Sequence, residues 1–320
     1  MPARNDAGNP VTIMDDLLIG MLLGLAIGDA IGTTLEFSAR DSKPELTDMI
    51  GGGPFGLLPG QWTDDTSMAL CLADGLIATA GTAGHFDSAD LMRRFANWWQ
   101  WGDNSVTGEC FDIGITTRNA IARFLKTGDP LAGSAAPDSA GNGAIMRLAP
   151  VAIRWHRNPR SACHAAEMQS RTTHAAAECL DAAHLMTHVL IALASGRTLP
   201  SALADAPTPF HTAIGVLRSG EFAAKTRDQI RSTGYVSHTL EAALWCVHRA
   251  GGAADAVLLA ANLGDDADTV AAVTGQFAGA IWGASGFPDE WLTRLAWHDE
   301  IRQRAARLIA AATADPDHQQ

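Results

Sequence analysis

The chain has 320 residues, 47% of them apolar, and a formal net charge of −12. That apolar content is ample for a large core, while its 23 Lys and Arg stand singly with no basic stripe to neutralise successive phosphates, which speaks against nucleic acid as a partner. The 5 cysteines (71, 110, 163, 179, 246) show no Cys-x-x-Cys spacing and their odd number argues against a disulfide framework, so the expectation is a soluble protein of the reducing cytoplasm.

No linker divides the sequence, and one domain over 12–312 is expected, with flexible ends at 1–11 and 313–320. Leu17 to Gly28, "LLIGMLLGLAIG", imitates the core of a signal peptide. Asp15 and Asp16 precede it where a signal is basic, Asp29 ends it, and the run is short for a bilayer, so no membrane association is expected. Glycine recurs at every fourth position here (Gly20, Gly24, Gly28) and near the far end (Gly275, Gly279, Gly283). Each helix-interior glycine costs roughly 1 kcal/mol against alanine, so the two series predict ridges of bare backbone where helices approach closely. Such packing would bring the first helix beside the second acidic motif.

Glu36 follows this helix in "GDAIGTTLEF". The stretch "GGGPFG" (51–56) formally matches Gly-x-Gly-x-x-Gly, but no strand precedes it and Pro54 interrupts it, so a dinucleotide fold is discounted. In "GQWTDDTSMAL", Thr63, Asp64, Asp65 and Thr66 open an apolar helix, where they suit an N-cap. The chemistry repeats in "NLGDDADTVAAV", with Asp266, Asp268 and Thr269. Two such loops suggest a site. If they converge, the carboxylates repel by roughly 4 kcal/mol per pair at 4 Å and an effective dielectric of 20, so protons or cations must offset them. Carboxylates with Thr hydroxyls, without His or Cys, form a hard oxygen set suited to two Mg²⁺, Mn²⁺ or Ca²⁺ ions.

Apolar residues recur at three and four along 68–79, 90–99, 113–125, 175–194, 239–249, 254–262, 270–282 and 300–312, and strand-like alternation is nearly absent. The expected fold is all-α, with loops at 126–143 and 195–209. Glu36, and Asp112 between Phe111 and Ile113, are each either a structural cap or a general acid or base beside the metals. "AGNGAIMRLAP" (140–150) offers either a plain turn or a glycine loop whose N–H groups approach an anionic ligand. His184 and His188 read as packing or surface histidines, and Trp98, Trp99 and Trp101 as a helix packing face. Tyr235, the only tyrosine, lies in the loop-like "STGYVSHT" as a candidate for ring contact.

The ordered set "GLAIGDAIGTTLE", "GQWTDDTSMAL", "FDIGITT", "GNGAIMRLAPVAI", "GYVSHTLEAALW" and "NLGDDADTVAAVTGQFAGAIWG" resembles the ADP-ribosylglycohydrolase family from about Leu18 to Gly286. The resemblance implies a compact, single-domain orthogonal helical bundle and a binuclear Mg²⁺ or Mn²⁺ centre. By position, the metal ligands would be Thr63, Asp64, Asp65, Asp266, Asp268 and Thr269. Glu36 and Asp112 would be the acidic residues beside ribose and metals. Gly141, Asn142, Gly143, Ala144, Ile145 and Met146 would line the diphosphate, with His174 of "TTH" nearby and Tyr235 flanking the ligand. Asp265 departs from the Gly-Gly-Asp common in the family.

The expected reaction is metal-dependent release of ADP-ribose from a modified protein side chain, foremost arginine, by a monomer. The alternatives are hydrolysis of serine-linked ADP-ribose or O-acetyl-ADP-ribose, a non-catalytic ADP-ribose reader, and a metal phosphatase yielding AMP.

Overall fold

The computed structural model describes residues 12–80, 86–207 and 212–314. Its helices are α1 (Ile13–Gly32), α2 (Asp64–Ala78), α3 (Ser88–Trp101), α4 (Ile115–Thr127), α5 (Ala149–Arg154), α6 (Pro159–Thr173) and α7 (Ala177–Ala194). There follow α8 (Leu199–Ala204), α9 (Thr212–Gly215), α10 (Val236–Arg249), α11 (Ala253–Ala261), α12 (Ala267–Trp282), α13 (Asp289–Arg294) and α14 (His298–Ala314). Among the described residues there is no strand, only the isolated bridges Gly52–Leu57, Ser134–His174 and Gly141–Tyr235. The domain is all-α, as expected. The expected free ends lie outside the described residues, except Thr313 and Ala314, which extend α14.

Helix α1 starts at a capping box. The Thr12 hydroxyl accepts from Asp15 N–H at 3.0 Å, and the Asp15 carboxylate accepts from Thr12 N–H at 3.1 Å. From Leu18 to Gly32 every residue is buried, Asp29 included. By length and composition alone α1 and α7 could each cross a membrane, yet 89% and 72% of their apolar windows are buried inside the protein. Here they are core helices.

The glycine ridges meet. A Cβ on Gly24 would lie 2.1 Å from the Gly275 carbonyl oxygen, and one on Gly275 would lie 1.9 Å from that of Gly24. A Cβ on Gly279 would come within 2.0 Å of Gly20 O, and one on Gly28 within 2.1 Å of Ala271 O. No side chain fits between these backbones. The pairing runs antiparallel and sets the end of α1 against the start of α12. Gly283, at φ +76°, ends α12 and carries the close approach to its last step, where a Cβ on Gly20 would lie 2.6 Å from the Gly283 carbonyl carbon.

Helices α6 and α8 escape the apolar count. The buried residues of α6 are Ala162, Ala165 and Ala166 beside Gln169, Ser170, Thr172 and Thr173. Helix α8 occupies part of the expected loop 195–209, capped by the Thr198 hydroxyl with a proline in its first turn. Of the tryptophans expected on one packing face, Trp98 is buried but Trp101 is exposed.

Candidate functional site

The ridge decides what meets what. The turn Thr33–Leu35 after α1 delivers Glu36, and the start of α12 delivers Asp266 at its N-cap position and Asp268 in its first turn. Glu36 Oε2 accepts from Asp268 N–H at 3.2 Å, so Glu36 takes one of the otherwise unpaired amides at the start of α12. Helix α2 then brings its own acidic start to the same place.

The N-cap reading of "TDDT" is corrected by the structure. Thr63 makes no side-chain cap bond; the cap comes from Asp29 on α1. Asp29 Oδ1 accepts from Thr63 N–H and its hydroxyl at 2.8 Å each, and Oδ2 accepts from Thr66 N–H at 2.9 Å and its hydroxyl at 2.6 Å. Capping from outside leaves Asp64 and Asp65 free of that duty.

Two acidic groups result. Asp29, Asp65 and Asp268 have carboxylate oxygens within 4.8 Å of one another, and so do Glu36, Asp266 and Asp268. Asp268 belongs to both. Asp64 belongs to neither group but lines the adjoining cavity. The Thr63 hydroxyl also reaches Asp268 Oδ2 at 3.2 Å, and the Thr269 hydroxyl reaches Asp65 Oδ2 at 3.4 Å.

Burial, and then the charge of Asp268, pushes Glu36 up to about 12 and Asp29 and Asp266 each up to about 7. Asp64 and Asp65 are raised well above the carboxylate range, first by burial and then by neighbouring carboxylates, chiefly Asp268 for Asp64 and Asp29 for Asp65. Asp65 Oδ1 is buried with no hydrogen-bond partner. An orphaned carboxylate oxygen inside an all-oxygen acidic cluster is what a hard divalent cation satisfies, so these residues fit such ions.

A cavity of about 930 Å³ opens above the cluster. Glu36, Asp64, Asp266, Asp268 and Thr269 form its acidic part, and Asp112 lines it from the loop before α4. Burial, then Asp64 and Asp268, pushes Asp112 up to about 11. Gly141, Asn142, Gly143, Met146 and His174 line another part, together with Thr233 and Gly234.

Within 141–146 the parts differ. Asn142 Nδ2 donates to Asp266 Oδ2 at 2.6 Å and to the Thr239 hydroxyl at 2.9 Å, so it holds an acidic residue in place. Ala144 and Ile145 are fully buried and are not among the lining residues. Their carbonyls accept from Gln169 Nε2 at 3.0 Å and Gln276 Nε2 at 3.1 Å, which fixes the loop from behind. Tyr235 stands one residue beyond the lining Gly234, its hydroxyl on the Glu178 carboxylate and its ring 5.2 Å from that of His238. Asp265, at φ +60°, pairs its backbone with Ser38 and Phe37 at 2.8 Å each, tying the loop before α12 to the one after α1.

The sequence reading passes over Asp29 and Arg147 as site residues. Asp29 ends an apolar run and looks like a stop; the available signal is an ionisable residue inside a helix otherwise made for the core. Arg147 is fully buried, its guanidinium 4.6 Å from the Phe95 ring centre. It donates to Gln169 Oε1 at 2.9 Å and to the Thr173 hydroxyl at 2.8 Å, and burial lowers it to about 9. The Thr173 hydroxyl lies 2.9 Å from His174 Nδ1. Having accepted from Arg147, that hydroxyl can give its own proton to Nδ1, an arrangement that fits the tautomer with the ring proton of His174 on Nε2. Burial, then the charge of Arg147, pushes His174 down to about 3, so it is neutral. Its ring needs Gly143: a Cβ there would lie 2.6 Å from His174 Cε1.

A family model described as ADP-ribosylglycohydrolase matches residues 10–317. An ADP-ribosylarginine hydrolase of Pseudomonas putida is 47% identical over 280 residues, which is 88% of this chain and 74% of that protein. An ADP-ribosyl-[dinitrogen reductase] glycohydrolase of Rhodospirillum rubrum is 31% identical over 275 residues, 83% of this chain and 85% of that one. Among solved structures, one titled ADP-ribosylglycohydrolase-related protein complex superposes with a TM-score of 0.82 at 36% identity, over 93% of this chain and 99% of that chain.

Proposed function

The chain belongs to the ADP-ribosylglycohydrolase family and is a glycohydrolase, and on that premise we propose that it hydrolyses the N-glycosidic bond between ADP-ribose and an arginine side chain of a modified protein. Water replaces the guanidine nitrogen at the anomeric carbon, giving ADP-ribose and free arginine. The observation that carries the reading is the pair of acidic groups sharing Asp268 beneath a cavity that also holds Glu36 and Asp112.

In this reading Thr63, Asp64, Asp65, Asp266, Asp268 and Thr269 hold two divalent cations, Mg²⁺ or Mn²⁺, with Asp29 fixing their frame. Ions bound there would offset the carboxylate charge and would supply Lewis-acid activation of a water. Glu36 is fixed through one oxygen by Asp268 N–H and lines the cavity where a proton would be transferred. Glu36 and Asp112, both raised first by burial, line the cavity beside the acidic cluster, which suits one of them to exchange a proton with the leaving nitrogen or the water. His174 Nε2–H and the backbone N–H of Gly143 would be the donors to the diphosphate, with Tyr235 beside them, because the N–H groups of Gly141 and Asn142 already donate to the Ser139 and Gly234 carbonyls at 2.8 and 3.1 Å. The 5 cysteines are all free thiols, in keeping with a reducing compartment.

The test is product analysis after incubation with an arginine-ADP-ribosylated peptide in Mn²⁺, Mg²⁺ or EDTA. Metal-dependent release of intact ADP-ribose is expected. AMP as product would redirect the reading to diphosphate cleavage, and release only from a serine-linked peptide would redirect it to O-linked substrates.

A further inference from the structure

Three phenylalanines from three separate loops form one row, of which Phe37 lines the cavity and Phe55 and Phe111 stand behind it. Phe37 follows Glu36, Phe55 comes from the "GGGPFG" loop, and Phe111 precedes Asp112. The Phe37 and Phe55 rings meet edge to face at 6.3 Å, and those of Phe55 and Phe111 meet at 5.3 Å with 57° between their planes. Each end of the row is thus joined through the backbone to one of the two raised carboxyls.

Phe37 is 69% exposed and lines the cavity, with Ile115 at 70% beside it. Its backbone sits at φ +58°, a region disfavoured for a bulky residue, where its N–H on the Asp265 carbonyl at 2.8 Å holds it. Exposing a ring in a strained conformation gains the fold nothing. An exposed ring that faces an acidic cavity, backed by two more rings, has one natural occupant. A guanidinium is flat, always charged and weakly hydrated, so it stacks on aromatic faces while its N–H groups meet carboxylates.

We propose that the Phe37–Phe55–Phe111 row is the leaving-group subsite, which receives the alkylguanidinium of the modified arginine and selects it over a neutral hydroxyl acceptor. The assignment rests on the arginine reading above, and it gives a role to the glycine-rich loop: its glycines at φ +69°, +90°, +65° and +63° (Gly51, Gly52, Gly53, Gly56) fold a tight turn that presents Phe55. Phe37, Asp112 and Ile115 bound the mouth continuously with the acidic part, so the guanidinium would sit within reach of Glu36 or Asp112.

The experiment compares wild type with Phe37→Ala, Phe55→Ala and Phe37→Tyr, using agmatine as a free alkylguanidinium. Agmatine binding to protein loaded with Mg²⁺ and ADP-ribose is measured by calorimetry, alongside KM and kcat for an arginine-ADP-ribosylated peptide. Phe37→Ala and Phe55→Ala are expected to weaken agmatine and raise KM about tenfold, with the affinity for ADP-ribose alone within twofold of wild type. Phe37→Tyr keeps the ring and is expected to keep agmatine binding. Wild-type agmatine affinity and KM in both alanine variants would overturn the proposal. Absence of turnover on the arginine peptide by wild type would instead remove the functional reading, and agmatine binding that depends on Phe37 would still support the subsite.

Discussion

Asp29 Oδ1 receives both the N–H and the hydroxyl of Thr63, each at 2.8 Å, so a buried carboxylate from the last turn of α1 caps the helix that carries Asp64 and Asp65. Asp29→Ala would strand the buried N–H and hydroxyl groups of Thr63 and Thr66, and each unsatisfied buried group costs roughly 1–3 kcal/mol. The variant is expected to lose on the order of 3 kcal/mol in urea unfolding and to bind Mn²⁺ at least tenfold more weakly. Unchanged metal affinity would mean that Asp29 serves the fold alone.

Asp268 is common to both acidic groups, and its removal should act with opposite sign on the two forms of the protein. Without metal, Asp268→Asn relieves repulsion in the buried cluster, so its Tm in EDTA is expected above that of wild type. With Mg²⁺ or Mn²⁺ in excess, wild type gains stability by mass action and the variant does not. The same variant should lose metal-dependent turnover. A lower Tm in EDTA would show that Asp268 is held mainly by its own hydrogen bonds.

Metal-free wild type should also depend on pH. Asp29 and Asp266, pushed up to about 7, keep protons in the folded chain that the unfolded chain releases near pH 4. The folded state then binds more protons between those values, so stability is complete below about pH 4 and falls as pH rises through 7. In EDTA the Tm is expected to drop between pH 5 and 8, and excess Mg²⁺ should flatten the profile. A flat profile in EDTA would show that the two carboxyls titrate alike in both states.

The glycine ridge offers the sharpest packing test. Gly24→Ala would place a methyl carbon 2.1 Å from a backbone oxygen that cannot move without parting α1 from α12. Loss of folding, or of several kcal/mol, is expected. Gly75→Ala on α2 is the control: its Cβ would meet only the Asp90 and Arg94 side chains, at 3.3 Å and beyond. There helix propensity dominates, and a gain of up to about 1 kcal/mol is expected. A mild Gly24→Ala would contradict the close approach.

The same ridge shows what the sequence makes legible. A four-residue glycine period has few readings, and the two Asp-Thr loops are legible because acidic helix starts are locally patterned. What escapes is set by long-range contact or by ordinary composition. Helix α6 hides because its core face is alanine, which carries little apolar signal. Arg147 hides because arginine normally faces water, and only the fold supplies Phe95 and Gln169 around it. Asp29 hides because the groups it caps lie 34 and more residues away. The aromatic row needs three loops to meet.

The link from Arg147 through Thr173 to His174 yields the last test. The Thr173 hydroxyl accepts from Arg147 and lies 2.9 Å from Nδ1; with its own proton given to Nδ1, wild-type His174 is expected to be neutral with its proton on Nε2 throughout pH 5 to 8. Long-range ¹H–¹⁵N spectra of the imidazole read this directly. Thr173→Val removes the donor to Nδ1 while keeping the shape, and should let the proton distribute between both nitrogens. If Nε2–H serves a phosphate oxygen, ADP-ribose binding should weaken about fivefold in that variant, the value of one hydrogen bond. A wild-type ring protonated on Nδ1 would overturn the relay whatever the ligand. A correct tautomer with unchanged ADP-ribose affinity in Thr173→Val would keep the relay and move His174 away from the phosphates, because a donor that matters to binding cannot be half removed without cost.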